Sequence, residues 1–338
     1  MKAFRCRVCD SALYFENSRC IHCGTRLGFS REERAIVPVD DEGRYVDADG
    51  GEWRVCRNLT LSGCTWLTRA ETGYCFSCEL TRTRPNDEDA MALEQYHRAE
   101  EAKRHLVFEL DGHGLDLRSK KQDPENGLCF DLISSMSEAT DNVVIGHADG
   151  VITIDLAETD AAYRERVRAK LAEPYRTMLG HFRHEVGHYV EWQLVTDDET
   201  VAQARELFGD ETADYQAEIK RHYSEGPPAD WKKSYISEYA TMHPWEDFAE
   251  TWAHFLHISD TVETAAEFGL TAVNPTAFRS FRDLVSGVWL PTSTALNQIN
   301  RSMGNDDLYP FVIPAPVLTK LDFVSTLVTR ARIARDAV

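Results

Sequence analysis

The sequence predicts an α+β protein in which a small cysteine-rich module precedes a larger, mostly helical domain with a short β-sheet. Eight of the nine cysteines lie within the first 78 residues, which marks the module. Residues 142–156 contain two β-branched runs on either side of His147-Ala148-Asp149-Gly150, and this pattern predicts a β-hairpin because glycine readily adopts positive φ. From residue 158 onward apolar residues recur at helical spacing, so the remainder of the chain is predicted to be helical.

The boundary between the two parts is predicted near residue 86. Residues 81–87 are polar and contain Pro85, which stops a helix, while Asp87 can cap a helix over residues 88–107. We therefore expect a module at residues 1–85 and a domain at residues 86–338. Further helices are predicted at residues 159–171, 174–194, 198–208, 211–223, 229–240, 244–258, 275–287, 293–303 and 316–334.

Charge and composition narrow the classes of function. The 338 residues carry a net charge of −19, which argues against binding of the whole surface to nucleic acid or to an anionic membrane. Residues 1–85 contain 13 Lys or Arg and 12 Asp or Glu, so only the module could approach a polyanion. No apolar run approaches the roughly 20 residues of a membrane span, and the first residues lack the apolar stretch of a secretory signal. We expect a cytoplasmic protein whose cysteines bind metal rather than form disulfides.

Cysteine spacing in the module predicts two structural zinc sites, because a site of four thiolates has no open position for chemistry. The first consists of two Cys-x2-Cys knuckles, with ligands Cys6, Cys9, Cys20 and Cys23. The second has one clean knuckle and a looser first half, with ligands Cys56, Cys64, Cys75 and Cys78. Crossed pairing between the sets is an open alternative. Such a zinc ribbon favours docking of a protein partner over nucleic acid, and the remaining Cys129 is expected to be buried.

A different metal-binding pattern lies in the predicted helix 174–194. His184-Glu185-Val186-Gly187-His188 places two imidazoles at positions i and i+4, on one helix face, where they can share a zinc ion. Glu185 is offset by about 100° around the helix, so it can reach a zinc-activated water without binding the metal. The pattern predicts His184 and His188 as ligands of a catalytic zinc and Glu185 as the general base.

The third ligand must come from another segment. The extended pattern with Gly and His further along the same helix is absent, since Glu191 and Leu194 occupy those positions. Residues 244–258 offer Glu246 and Glu250 one turn apart on one helix face. One of them can bind zinc while the other accepts a hydrogen bond from a ligating histidine.

Other side chains near these motifs have candidate roles. Tyr239, seven residues before Glu246, is a possible phenolic donor to a developing oxyanion, and Tyr235 is an alternative. His181 lies three residues before His184, where contact with a metal-ligating side chain or with the substrate competes with simple packing. The remaining nearby residues are expected to be structural or in the core; they are His243, His254, His257, Trp245 and Trp252.

Together these residues resemble a known active-site pattern. His184-Glu185-x2-His188 with Tyr239-x6-Glu246-Asp247-Phe248-Ala249-Glu250 is similar to the pattern of anthrax lethal factor and related gluzincins. That resemblance implies Glu246 as the third zinc ligand and Tyr239 as the group that aids the transition state. Glu250 would then be the residue that hydrogen-bonds a ligating histidine. Nearly the whole chain also resembles bacterial zinc-binding metallopeptidases with an N-terminal zinc ribbon. The segments that carry this second resemblance are residues 176–189, 208–211, 243–254 and 307–311.

The sequence thus predicts a gluzincin-type peptidase that hydrolyses a peptide or protein substrate and holds one catalytic and two structural zinc ions. Glu185 would act first as base and then as acid to the leaving amine. The strand Gly150–Asp155 would be a sheet edge that pairs with an extended substrate. Two alternatives are a non-catalytic protein that holds a peptide in the same groove and a nucleic-acid-associated zinc protein.

Overall fold

The computed structural model describes residues 1–136, 145–160, 177–271 and 278–337. Within these residues the chain begins with a module of short strands and continues with helices around one small sheet, so the predicted α+β class is confirmed. Most of the predicted helix 159–171 and part of the predicted helix 275–287 lie outside the described residues. Among the helices described, none is long and apolar enough to cross a membrane.

The N-terminal module consists of three small antiparallel sheets and two short helices. Its strands are β1 (Phe4–Arg5), β2 (Ala12–Leu13), β3 (Leu27–Ser30), β4 (Ala35–Pro38), β5 (Arg44–Val46), β6 (Glu52–Val55) and β7 (Leu67–Thr68). Strand β1 pairs with β2, β3 pairs with β4, and β5, β6 and β7 form a three-stranded sheet. The helices are α1 (Leu59–Ser62) and α2 (Phe76–Glu79).

The first two knuckles of the module are tight turns with the same geometry. The amide of Asp10 donates to the carbonyl of Cys6 at 2.8 Å, and the amide of Gly24 donates to the carbonyl of Cys20 at 2.9 Å. Asp10 and Gly24 both have positive φ, at 59° and 75°. Glycine adopts this region without steric cost and aspartate tolerates it, so both sequences can close the turn.

A four-stranded sheet connects the module to the helical domain. It contains β8 (Thr81–Thr83), β9 (Cys129–Ile133), β10 (Gly146–Ala148) and β11 (Val151–Asp155), in the order β10-β11-β9-β8. Strand β8 precedes the predicted boundary at residue 86 but pairs in parallel with β9. The predicted hairpin is present as β10 and β11, but the edge prediction is wrong. Strand β11 has β9 as a second, parallel partner, so the outermost described strand on this side is β10.

Helices make up most of the second part. They are α3 (Ala90–His113), α4 (Met178–Leu194), α5 (Asp198–Phe208), α6 (Tyr215–Glu225), α7 (Pro244–Glu267), α8 (Phe281–Leu284), α9 (Leu290–Ser302) and α10 (Ala315–Asp336). A π-helical turn, Val285–Trp289, joins α8 to α9. Side-chain caps explain where four of them begin: Asp89, Thr177, Asp197 and Asp214 each accept a hydrogen bond from the amide three residues further on.

The predicted helix over residues 229–240 is wrong. This segment contains two short 3-10 turns, Trp231–Lys233 and Tyr239–Thr241. The hydroxyl of Ser237 accepts a hydrogen bond from the amide of Ala240 at 3.1 Å, and such a local bond competes with continuous helix. The irregular path ends directly before α7 and carries Tyr239 to the cavity that the motif helix α4 lines.

One hydrophobic core extends from the module into the helical domain. The ring centroid of Phe15 lies 4.9 Å from that of Phe29 and 5.1 Å from that of Phe108 on α3. Beside these rings, Arg31 donates two hydrogen bonds, of 2.7 and 2.6 Å, to the carboxylate of Asp111. The module is therefore packed against α3 and shares its core.

A buried ionic cluster joins α3, α4 and α7. Arg183, one residue before the first motif histidine, donates to Glu109 of α3 at 3.0 Å and to Asp260 of α7 at 3.2 Å. The N-terminal ammonium of Met1 lies 2.5 Å from the other Asp260 oxygen and 2.6 Å from the hydroxyl of Thr264. The cluster fixes the position of α4 relative to α3 and α7.

Helices α4 and α7 approach each other closely at Gly187. A Cβ atom at this position would lie 2.8 Å from the Cα atom of Ala249 and 3.1 Å from Cδ1 of Trp252, which is below normal contact distance. Only glycine permits this separation of the two helices. Val186 and Trp252 are fully buried on either side of the contact. The crossing places the histidine face of α4 against the first turns of α7.

We expect Gly187→Ala to reduce the free energy of unfolding by about 1–3 kcal/mol, because overpacking outweighs the higher helix propensity of alanine. Gly112→Ala is the matched control. Gly112 is an exposed glycine in α3, and its Cβ would meet only the flexible end of Arg34, at 3.0 Å. Chemical denaturation of both variants measures the difference. Equal effects in the two variants would contradict the close-packing argument.

Candidate active site

Helices α4 and α7 bring three potential metal ligands together. His184 and His188 lie one turn apart on α4 with ring centroids 5.1 Å apart, and Glu246 lies in the first turn of α7. One oxygen of Glu246 is 3.0 Å from Nε2 of His184 and 3.6 Å from Nε2 of His188. One ligand atom from each of the three residues lies within 4.8 Å of the others.

The charges in this group suit a divalent cation. Burial alone would raise the pKa of Glu246, but the adjacent His188 and His184 hold it well below its ordinary range. Burial would lower the pKa of His184, but Glu246 and Glu250 raise it well above the ordinary value. The carboxylates thus attract positive charge to the imidazole nitrogens. Two imidazoles and one carboxylate are also the ligand set of catalytic zinc sites that keep a position open. The residues present therefore fit a zinc ion.

Two further side chains orient these potential ligands. Nδ1 of His184 lies 2.8 Å from Oε1 of Glu250, and the hydroxyl of Tyr215 donates to Oε1 of Glu246 at 2.7 Å. Contacts of this kind set the orientation and basicity of metal ligands. Glu250 was expected here, but Tyr215 was not. Its only sequence signal is its place directly after Asp214, a helix-capping residue, since it has no motif spacing to the histidines.

Glu185, the candidate base, contacts a buried histidine. Oε1 of Glu185 is 3.3 Å from Nε2 of His181, whose Nδ1 is 3.0 Å from Oε2 of Glu158. Burial lowers the pKa of His181, but Glu158 and Glu185 outweigh it and raise the pKa to about 9. Burial raises the pKa of Glu185, yet the contacts with His181 and His184 bring it below its ordinary value. Glu185 is therefore a carboxylate at neutral pH. Glu158 was missed because it lies far from any motif.

The structure distinguishes between the two candidate tyrosines. Tyr239 lines the cavity above the metal-ligand group, and its ring centroid is 5.7 Å from that of His184. Tyr235 instead lies with its ring centroid 4.4 Å from the ammonium of Lys320. Lys320 also forms a buried ion pair of 2.5 Å with Asp247. Of the two, only Tyr239 is at the cavity.

The residues that flank Glu246 in the sequence lie partly in the core and partly in the cavity wall. Nδ1 of His254 lies 2.8 Å from the hydroxyl of Tyr309, the ring of His257 stacks on Tyr309 at 5.3 Å, and His243 caps α7. Trp252 is fully buried, as expected. The core prediction for Trp245 is wrong, because its side chain is 41% exposed and lines the cavity. It lies in the first turn of α7, on the side that faces Tyr215.

The three potential ligands lie in a cavity of about 740 Å³. One wall is the segment 145–149, which contains the outer strand β10. Another part of the wall is formed by α5 and the residues that follow it. Glu185 and the metal-ligand group line the same cavity.

Both cysteine sets of the module are assembled as predicted from their spacing, without crossed pairing. Four sulfur atoms in each set lie within 4.8 Å of one another; the sets are Cys6, Cys9, Cys20 and Cys23, and Cys56, Cys64, Cys75 and Cys78. None of the nine cysteines forms a disulfide. The second set is fully buried, whereas Cys23 of the first is exposed. Cys129 is buried in β9, outside both sets.

Comparison with known proteins identifies the family. Residues 92–327 match the family described as "Putative zinc-binding metallo-peptidase". The chain belongs to this family. Residues 3–89 match a zinc-ribbon domain, so the sequence resemblance to metallopeptidases with an N-terminal ribbon is confirmed.

The chain is also similar to mycobacterial proteins along nearly its whole length. One relative from Mycobacterium bovis and another from Mycobacterium tuberculosis are each 46% identical over 340 residues, covering 97% of this chain and 95% of the relative. Both relatives bear the name "Uncharacterized protein". No solved structure matches the chain.

We expect Tyr215→Phe to weaken metal binding at the His184-His188-Glu246 group by roughly 10–100-fold, because Glu246 loses the hydrogen bond that orients it. Cobalt titration separates this group from the cysteine sets, since thiolate ligands produce distinct charge-transfer bands. Tyr14→Phe is the control, because Tyr14 is 71% exposed and lies in the module, outside the cavity lining. Unchanged cobalt affinity in Tyr215→Phe would refute the orienting role.

Proposed function

We propose that the protein is a zinc-dependent peptidase that hydrolyses peptide bonds within its cavity. The observation that carries the proposal is the meeting, in one cavity, of the His184-His188-Glu246 group with the carboxyl group of Glu185. A zinc ion in that group would supply a Lewis acid, which activates a water molecule and polarises the substrate carbonyl. The proposal draws further support from membership of a zinc-binding metallopeptidase family.

Glu185 would carry the proton in this reaction. Its carboxylate accepts a proton from the attacking water and then delivers it to the nitrogen of the leaving amine. His181, held between Glu158 and Glu185, keeps Glu185 ionised before the attack. The same contact orients the carboxylate toward the cavity, so the base needs no rearrangement before proton transfer.

Tyr239 and strand β10 would position the substrate. The phenol of Tyr239 would donate a hydrogen bond to the carbonyl oxygen as negative charge develops on it. An extended peptide could add to the outer side of β10 through backbone hydrogen bonds, which leaves side chains on alternate faces. One face would then point toward α4 and the wall formed by α5. A non-catalytic peptide-binding role would use the same groove without the proton transfer.

The cysteine sets would hold structural zinc in the zinc ribbon. Their thiols are assembled at distances that suit one metal ion each. Thiolate clusters of this kind persist in reducing compartments, so we place the protein in the cytoplasm as part of this proposal. Docking of a protein partner by the ribbon stays a prediction.

Metal analysis of the purified protein tests the proposed number of bound zinc ions. We expect about three zinc ions per chain, one for each group of ligands. His188→Ala should lose one zinc and keep its fold, because the side chain lies at the cavity. Cys75→Ser should lose one zinc and also unfold at lower denaturant concentration, since Cys75 is buried in the module core. Full zinc content in either variant would contradict the assignment.

Glu185→Gln tests the catalytic proposal. We expect zinc content and thermal stability to be retained while kcat/KM falls roughly 10²–10⁴-fold, because the amide cannot accept the proton. The substrates are a peptide library derived from a bacterial proteome, in which mass spectrometry detects new termini at any cleavage site, whatever its sequence. Cleavage by Glu185→Gln at the wild-type rate would rule out this mechanism. A zinc-loaded wild type that cleaves nothing would instead favour the peptide-binding role.

A further inference from the structure

The α5 side of the cavity has a wall that the proposed reaction does not use. Four apolar residues and two acidic residues line it: Val195, Val201, Ala204, Phe208, Glu191 and Glu211. We refer to these six residues as the side pocket. Glu191 lies three residues after His188 on α4, so its side chain projects from the helix face that carries the metal-ligand histidines. The pocket therefore opens next to the position where the scissile bond would lie.

Glu191 is a partly buried carboxyl group, and the described residues provide no hydrogen-bond or salt-bridge partner for it. Burial raises its pKa well above the ordinary range, and the nearby charges of Glu211, Glu246 and Asp247 raise it further. A cation placed beside it would favour the ionised carboxylate, which burial and these charges disfavour. The walls beside it are apolar, with Ala204 and Phe208 both buried.

Three other acids that line the cavity have partners. Glu211 accepts two hydrogen bonds, of 2.9 and 2.6 Å, from the guanidinium of Arg205. Glu246 contacts the histidines and Tyr215, and Glu250 contacts His184. Among the described residues that line the cavity, none is lysine or arginine. The described residues thus leave two lining acids without a partner: the exposed Asp149 beside β10, and Glu191 beside the apolar residues of α5.

We propose that the side pocket binds the cationic side chain of a lysine or arginine next to the scissile bond, with Glu191 as its ion-pair partner. This rests on the proposed peptidase function and adds a substrate class to it. The methylene stem of such a residue would lie along Val201, Ala204 and Phe208, while the charged end reaches Glu191.

Cationic, apolar and acidic substrate side chains would each have a different effect on Glu191. A cation forms a charge-assisted hydrogen bond with the carboxylate, and the apolar walls beside Glu191 partly shield that bond from water. An apolar side chain of equal length fills the same space but leaves the carboxyl group desolvated without a partner. An acidic side chain places a second negative charge beside it. Selection therefore follows the order cation, then apolar, then acid.

Binding of non-cleavable ligands tests the pocket separately from catalysis. The probes are peptide hydroxamates in which the residue adjoining the metal-binding group, on either side of it, is Lys, Arg, norleucine or Glu. We expect the zinc-loaded wild type to bind the Lys or Arg probe roughly 10–100-fold more tightly than the norleucine probe in calorimetric titration. The Lys and Arg probes compared with each other show which cation the pocket prefers.

Two variants test whether Glu191 is responsible. Glu191→Gln should abolish the preference for a cation while leaving affinity for the norleucine probe within a few-fold of wild type. Glu191→Leu provides a second test, because it replaces the carboxyl group by an apolar side chain and should shift the preference to norleucine. Glu206→Gln is the matched control: Glu206 is an exposed carboxylate on α5 outside the cavity, and its removal should change neither affinity nor preference.

The outcomes separate this inference from the function it rests on. Equal binding of the Lys and norleucine probes by wild type, or a preference that survives in Glu191→Gln, overturns the side-pocket assignment even if peptides are cleaved. A cation preference that depends on Glu191 supports it, and cleavage sites enriched in Lys or Arg extend it to substrates. The same preference in a protein that cleaves nothing keeps the side pocket and refutes the peptidase proposal.

Discussion

The close approach of two helix backbones at Gly187 is the constraint on which the candidate active site depends. His184 and His188 belong to one helix and Glu246 to another, and their ligand atoms meet only because no side chain separates α4 from Ala249 of α7. The glycine inside the histidine motif is thus a packing residue. The ionic cluster around Arg183 then fixes the position of α4 relative to α3 and α7. Gly187 therefore determines the distance between α4 and α7, and the ion pairs determine where α4 lies along them.

Much of the site could be predicted from sequence because its parts have local spacing. The histidine pair, the two glutamates of α7 and the cysteine knuckles each repeat at intervals that helices or tight turns enforce. Residues without such spacing were missed. Tyr215 reaches Glu246 from 31 positions earlier, and Glu158 reaches His181 from before the motif helix. Their contacts are tertiary, and no local pattern encodes them.

The incorrect predictions have similar causes. Residues 229–240 have helical periodicity, but the hydrogen bond from the amide of Ala240 to the hydroxyl of Ser237 favours 3-10 geometry. The outer strand was assigned to the wrong half of the hairpin because periodicity cannot show which strand finds a second partner. Trp245 looked apolar enough for the core, yet its place in the first turn of α7 puts it at the cavity. In each case a residue's surroundings, rather than its own character, decided the result.

The shared aromatic core of the zinc ribbon and α3 has a thermodynamic consequence. Phe108 of that core is followed on α3 by Glu109, whose carboxylate holds Arg183 next to the histidine motif. Ordering of the ribbon by a bound metal would therefore support the helix that anchors the candidate active site. Such linkage is reciprocal, so occupancy of either kind of metal site would raise the apparent affinity of the other. Oxidation of the distant thiols would then weaken metal binding at the candidate active site, without any ligand entering the cavity.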